Sequence, residues 1–433
     1  MPASLLVLLW SACERPFVEV GTPGIEILAP DFTTVFVEDR IELSVAAGSF
    51  RPIREVRLNN VPMAFDPIQE VWTAIVEFRR GLNTLVIEAF DVEGIAGVDT
   101  AYAVHLPFRF FLNAPRLPVG RAGHTATVLS NGNLIVIGGA ETADGPARDE
   151  AFLLLANGVT FDAINARLNV ARTGHTATRL PDGRVLILGG SRTDNLISVE
   201  DLVETVEIFN PVTSRFDSLV FDGQPIRRAL HTAVLRNTGG GVFIDLYGGR
   251  GDIRYGADPR LGTRRDLRTF ELSGDTLFAL NTLNSAPFLE AAIAGHTETR
   301  IQNGVYLVFG SFFDDQFADE ASFRIDYTAS LGPLVTDAPP MLTPRTRHAA
   351  GTLGNRLMVL FGGRQASPLN VLDQTELYSE GAGQFFRLPN LQQTVKRYGH
   401  TATNLSSQRI LLIGGFGVDG NSFTASEFFN VTP

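Results

Sequence analysis

From residue 125 onward the chain repeats one arrangement of apolar and polar positions. A short alternating stretch leads into a polar turn, and an unbroken apolar run ending in glycine follows. Leu134-Ile135-Val136-Ile137-Gly138-Gly139 is the first such run, with counterparts at residues 185–190, 244–249, 305–310, 357–363 and 410–415. Only the fourth breaks the glycine doublet, with Ser311 after Gly310. Continuous apolar runs this short, bounded by turn signals such as Asn131-Gly132 and Asp182-Gly183, predict strands covered on both faces. A third strand is expected after each variable loop, as in Glu207-Ile208-Phe209-Asn210, Glu376-Leu377-Tyr378 and Glu427-Phe428-Phe429-Asn430. Residues 18–107 read differently. Ile25-Glu26-Ile27, Ile41-Glu42-Leu43-Ser44-Val45 and Val56-Arg57-Leu58 alternate with a period of two, which predicts half-buried strands. With turn signals throughout and few apolar helical faces, the chain is expected to be all-β.

Each apolar run in the repeated part follows a histidine motif. Arg121-Ala122-Gly123-His124-Thr125-Ala126-Thr127 recurs as Arg172-Thr173-Gly174-His175-Thr176-Ala177-Thr178 and Arg228-Ala229-Leu230-His231-Thr232-Ala233-Val234. It returns as Ala294-Gly295-His296-Thr297-Glu298-Thr299, Arg345-Thr346-Arg347-His348-Ala349-Ala350-Gly351 and Arg397-Tyr398-Gly399-His400-Thr401-Ala402-Thr403. The histidines lie 51, 56, 65, 52 and 52 residues apart, a spacing that marks a repeat architecture. The His-Thr-Ala-Thr, Gly-Gly and Glu-Ile-Phe elements together resemble the kelch family. That resemblance implies a six-bladed kelch-type β-propeller over residues 108–433. The last copy stops after its third strand, and Phe108-Arg109-Phe110-Phe111-Leu112 is expected to supply its fourth, removing an open sheet edge. Within residues 18–107, the Gly81-Leu82-Asn83-Thr84-Leu85 segment running on to Ala89-Phe90-Asp91 and Gly94 resembles bacterial immunoglobulin-like modules. An Ig-like β-sandwich serving as a spacer is therefore expected there.

Composition narrows the partners. The chain of 433 residues carries a net charge of -11, which argues against nucleic acid or an anionic membrane surface. Lys396 is the sole lysine, so positive charge is almost entirely arginine. Cys13 is the sole cysteine, so no internal disulfide and no cysteine-based metal site can form. It follows the apolar run at residues 5–10, and residues 1–13 resemble a signal segment ending in a bacterial lipobox. Trp10 replaces the usual leucine, and no basic residue precedes the run. The resemblance implies lipidation at Cys13, export, and a place in the cell envelope, on the outer membrane or cell surface. The membrane would then be reached only through that anchor.

Candidate chemistry centres on arginine. Arg121, Arg172, Arg228, Arg345 and Arg397 each lie three residues before a repeat histidine, and Ile293 takes that place in the fourth copy. In kelch propellers this position lies at one mouth of the central channel. Five guanidinium groups there would bind an acidic peptide, an acidic protein or an anionic carbohydrate through bidentate hydrogen bonds. The alternative is structural, with each arginine paired to a repeat acid such as Glu150, Glu207, Glu376 or Glu427. Six of the seven histidines occupy the repeat position, about one blade apart, and are expected to be buried and hydrogen-bonded rather than to hold a metal. No cofactor is expected, and a copper site with a tyrosine–cysteine crosslink is excluded because the propeller has no cysteine. The long insertion at residues 250–266 is expected to be an arginine-bearing loop over one face, and its Arg250-Gly251-Asp252 tripeptide is common by chance. Asp314-Asp315 and Asp319-Glu320 read as a solvated acidic loop. Two functions are expected. The first is a non-catalytic binding or scaffold protein of the envelope. The alternative is a carbohydrate-active enzyme, mutarotase- or lyase-like, that uses arginine and glutamate groups at the mouth.

Overall fold

The structure is a computed structural model that describes residues 21–196, 198–255, 258–280, 292–302, 304–313, 317–328, 333–354, 356–365, 370–388 and 395–431. Cys13, residues 1–20 and Asp314-Asp315 lie outside the described residues. The chain is all-β, divided into two compact units at residues 1–107 and 108–433. No helix among the described residues is long and apolar enough to cross a membrane.

In the first unit two four-stranded antiparallel sheets share one core. One sheet runs Gly24–Ala29, Arg40–Gly48, Val71–Glu77, Ala64–Asp66; the other runs Val61–Pro62, Ile53–Leu58, Gly81–Asp91, Ala96–His105. The alternation in sequence becomes an alternation in burial. Leu43, Val45, Leu85, Ile87 and Ala89 point inward while their neighbours face out.

The second unit is a succession of six sheets of four or five strands, with a small three-stranded and a two-stranded sheet beside them. The first sheet is Thr125–Val128, Leu134–Ile137, Glu150–Leu154, Phe161–Arg167, and the second is Thr176–Arg179, Val185–Leu188, Glu207–Asn210, Arg215–Ser218. The third is Thr232–Thr238, Gly241–Tyr247, Leu267–Ser273, Thr276–Ala279, with Val220–Asp222 added in parallel as a fifth strand. The fourth is Thr297–Gln302, Val305–Phe313, Phe317–Asp326, Leu334–Ala338, and the fifth is Ala349–Leu353, Leu357–Phe361, Thr375–Ser379, Gln384–Arg387. The sixth joins Thr401–Ser406, Arg409–Ile413 and Ser426–Val431 to Phe108–Phe111 from the other end of the unit. Val431 pairs with Phe108 and Phe428 with Phe111, so both ends of the unit meet in one sheet. The second strands are buried on both faces, as the continuous apolar runs predict; Ile135, Val136 and Ile137 are all at 0% exposure.

Backbone hydrogen bonds close these sheets into a cycle. The amide of Gly123 donates to the Gly399 carbonyl, Gly174 to Gly123, Leu230 to Gly174, Gly295 to Leu230, Arg347 to Gly295, and Gly399 to Arg347, at 2.6–2.9 Å. All six residues have positive φ, between 52° and 65°, a region that glycine enters most easily. Close approach of neighbouring sheets explains the glycine doublets. A Cβ on Gly138 would lie 2.5 Å from the Arg172 carbonyl oxygen of the next sheet.

A second cycle runs through the histidines. Burial pushes the imidazoles of His124 and His296 down to about 3, and the other four repeat histidines well below their ordinary value, so all six rings are neutral at pH 7. Five share a hydrogen bond through Nε2 with a threonine hydroxyl of the preceding sheet: His175 with Thr125, His231 with Thr176, His296 with Thr232, His348 with Thr297, and His124 with Thr401. In the fifth sheet Ala349 replaces that threonine, and His400 Nε2 has no partner among the described residues. Ala349→Thr should complete the cycle and raise stability by about 0.5–1.5 kcal/mol in urea unfolding. A neutral or destabilising result would show that the hydroxyl does not reach.

Candidate functional site

The five repeat arginines are buried and paired with acids, the arrangement the sequence offered as the alternative to a ring of guanidinium groups at the mouth. Arg121, Arg172, Arg228, Arg345 and Arg397 are each at most 1% exposed. Arg172 donates to Glu207 at 2.5 Å, Arg345 to Glu376 at 2.5 Å, and Arg397 to Glu427. Arg121 pairs with Glu150 at 2.6 Å and Arg228 with Asp266 at 2.9 Å. In four of the five, Nη1 also holds the carbonyl of the first glycine of the doublet: Gly189, Gly248, Gly362 and Gly414. Arg121 uses the Gly120 carbonyl instead. Arg172, Arg345 and Arg397 thus clamp their own sheets, tying the chain before the first strand to the glycine turn and the third strand. An unpaired guanidinium in that position would be costly, because a buried charge needs a partner and satisfied donors.

The register shows where the clamp changes. Ile187, Leu360 and Leu412 each face the clamping glutamate on the third strand. In the fourth sheet the same slot pairs Val308 with Phe323, and Ile293 stands where the arginine would be. Ile293 and Phe323 belong to one apolar cluster. Both charged partners have been exchanged together for apolar ones. In the third sheet the slot holds Arg268 opposite Leu246, and the acid sits two residues earlier as Asp266.

Around Arg268 lies a cationic cleft of about 750 Å³, lined by Gln224, Pro225, Arg227, Arg228, Asp252, Arg264 and Arg268. Arg264 meets Asp266 at 2.8 Å, and Arg227 meets Glu204, with Asp252 at 3.6 Å. Arg268 makes no ion pair among the described residues; its Nη1 and Nη2 donate to the carbonyls of Pro225 and Gln224 at 3.3 and 3.2 Å. Burial lowers its pKa, and Arg264 adds repulsion that Asp266 opposes. Four guanidinium groups therefore face three carboxylates, in a protein that is acidic overall. The insertion expected as a loop at residues 250–266 is a β-hairpin, Arg250–Tyr255 with Asp258–Thr263, and it carries Asp252 and Arg264 to the cleft. It is tied back because Arg250 already pairs with Ala229 of the segment Arg228–Ala229.

Two further groups of residues escaped the sequence reading. Arg347 occupies a slot filled by glycine in four of the six copies, and its guanidinium makes a bidentate pair with Asp194 at 2.9 and 2.6 Å. The second lies between the third and fourth sheets, where Asp245 and Tyr247 interrupt an apolar run and Glu298 stands where the other copies have alanine. Asp245 accepts from Arg236 at 2.5 and 3.1 Å and from Thr269 at 2.6 Å, and the hydroxyls of Tyr247 and Tyr327 share a hydrogen bond. Burial pushes the Glu298 carboxyl up to about 8, with Arg300 opposing. Departures from the repeat consensus were the signal for both groups.

No protein-family model matches the chain, and no curated protein matches it. The chain is similar to the solved structure of YjhT, with a TM-score of 0.57 at 16% identity, covering 72% of this chain and 95% of that one. At such identity the likeness speaks to fold alone.

Proposed function

We propose that residues 108–433 form a six-bladed kelch-type β-propeller that binds a carboxylate-bearing ligand, an acidic peptide, an acidic protein or an anionic carbohydrate, without catalysis. The closed cycle of six peptide hydrogen bonds and the likeness to the YjhT structure support the propeller. The observation that carries the binding function is the cleft beside the third blade, where Arg227, Arg228, Arg264 and Arg268 converge. Planar guanidinium groups on a partly desolvated wall suit carboxylates in particular. In this reading the first unit is an Ig-like spacer, and lipidation at Cys13 holds the protein in the cell envelope. The enzymatic alternative needed free arginine and glutamate groups at the mouth. The clamps leave it little, because each such arginine and acid is already the other's partner.

Titration calorimetry with polygalacturonate and with polyglutamate tests the proposal. The native chain should bind at least one of them, and Arg268→Gln should weaken binding about tenfold, as expected for loss of one charge-assisted pair. Equal binding by the Arg268→Gln chain, or equal binding of a neutral polysaccharide, would overturn the assignment of the cleft.

A further inference from the structure

Arg347 combines three features. Its backbone holds φ at 52° inside the closed peptide cycle, a conformation that a residue with a side chain adopts only under constraint. Its side chain is buried, and among the described residues its Nε is a donor without a partner, as are those of Arg121 and Arg397. Its guanidinium reaches across the cycle from the fifth sheet to Asp194, on the loop after the second strand of the second sheet. The contacts of that side chain place it over the cycle itself. A Cβ on Gly399 would lie 3.2 Å from Arg347 Nη2, and one on Gly123 would lie 3.5 Å from it.

The surroundings are those of an anion seat. The Arg347 guanidinium lies 5.3 Å from the Tyr398 ring and 5.7 Å from the Phe416 ring, an aromatic floor that shields it from water. The Arg364 guanidinium lies 4.9 Å from the same Tyr398 ring, and the charges of Arg347 and Asp194 both act on it. The Asp194 amide donates to the Gly145 carbonyl at 3.1 Å, its carbonyl accepts from the Leu196 amide at 3.1 Å, and its carboxylate accepts from Thr173 at 3.4 Å.

We propose that Arg347, with Arg364 beside it, is a carboxylate-binding seat at the axis of the ring, and that Asp194 fills it as an internal surrogate which an external carboxylate displaces. The chemistry is exchange of one bidentate carboxylate for another, so no bond is made or broken and the charge at the seat is unchanged. What an external carboxylate must overcome is the effective concentration of Asp194, set by the loop that carries it. The native chain therefore binds a single carboxylate weakly at this seat. A ligand that also engages a neighbouring loop gains on it.

The seat is separate from the third-blade cleft, and the test keeps them apart. In the full-length chain, Asp194→Asn keeps the shape of the side chain and removes its charge. Sodium glucuronate is the probe, with glucose as the neutral control. Asp194→Asn should bind glucuronate at least tenfold more tightly than the native chain, and that gain should persist in an Arg268→Gln background. It should vanish when Arg347→Gln is added. If Asp194→Asn proves unstable, its unfolding temperature should rise with glucuronate and not with glucose. Unchanged affinity in a folded Asp194→Asn chain, a gain that survives Arg347→Gln, or an unfolding temperature indifferent to glucuronate would each overturn the proposal.

Discussion

Arg172→Ala should lower the stability of the second unit by about 3–5 kcal/mol, and Glu207→Ala by a similar amount. The two side chains are both at 0% exposure and 2.5 Å apart. Removal of the arginine leaves Glu207 with two backbone donors, the amides of Asn169 and Val170, at 2.7 and 3.1 Å. It also strips partners from the carbonyls of Gly189 and Thr205, each held by Arg172 Nη1 at 3.0 Å. Removal of the glutamate leaves a guanidinium buried without its counter-charge. The fourth sheet shows a different solution, with Ile293 and Phe323 in the two slots. Arg172→Ile combined with Glu207→Phe should therefore cost less than the sum of the single alanine changes, since replacing both ends of a buried pair avoids the uncompensated charge. Urea unfolding of the native chain and the three variants measures this. A cost below about 1 kcal/mol for Arg172→Ala would mean that the clamp does not hold the sheet.

The repeat is where the sequence was most legible. Apolar runs such as Val185–Leu188, short and bounded by turn signals, read as covered strands, and a histidine spacing near fifty residues implies one sheet per copy. The contribution of Phe108–Phe111 to the last sheet was also legible, because a third strand without a fourth leaves an edge to be covered. The role of the repeat arginines was only half legible. Spacing placed them correctly before the first strand, but it could not say whether a guanidinium points to solvent or to an acid some thirty residues away. Arg172 and Glu207 come together only when the second and third strands pair. The cleft was harder still, since it depends on Arg268 standing in a glutamate slot, a fact that exists only once the register is known. Arg347 was visible in the sequence as an arginine in a glycine slot. Its meaning requires the ring, because its partner Asp194 is 153 residues away.

Stability should fall steeply on acidification, by an amount that six histidines share. A buried imidazole with its folded pKa depressed contributes stability that is present above about 6.5, the value in the unfolded chain, and lost as pH falls toward the folded value. For His124 and His296 that window runs from about 6.5 down to about 3, and the other four histidines shift in the same direction. At pH 5 His124 and His296 each cost roughly 2 kcal/mol relative to pH 7, the other four histidines act in the same direction, and the unfolding temperature should drop on the order of 10 °C. Glu298 acts with the opposite sign. Its folded pKa is raised from 4.5 to about 8, so its contribution is present below 4.5 and is lost as pH rises through 8. Glu298→Ala restores the residue found at Ala126, Ala177, Ala233, Ala350 and Ala402. Differential scanning calorimetry from pH 4.5 to 9 should show the variant more stable than the native chain at pH 9, and the two alike at pH 4.5. Because the histidines lie in every sheet and Glu298 in one seam, the substitution should flatten the alkaline limb and leave the acid limb in place. An unfolding temperature unchanged between pH 7 and 5 would mean that the imidazoles take up protons without leaving their threonine partners, and the neutral histidine cycle would have to be abandoned.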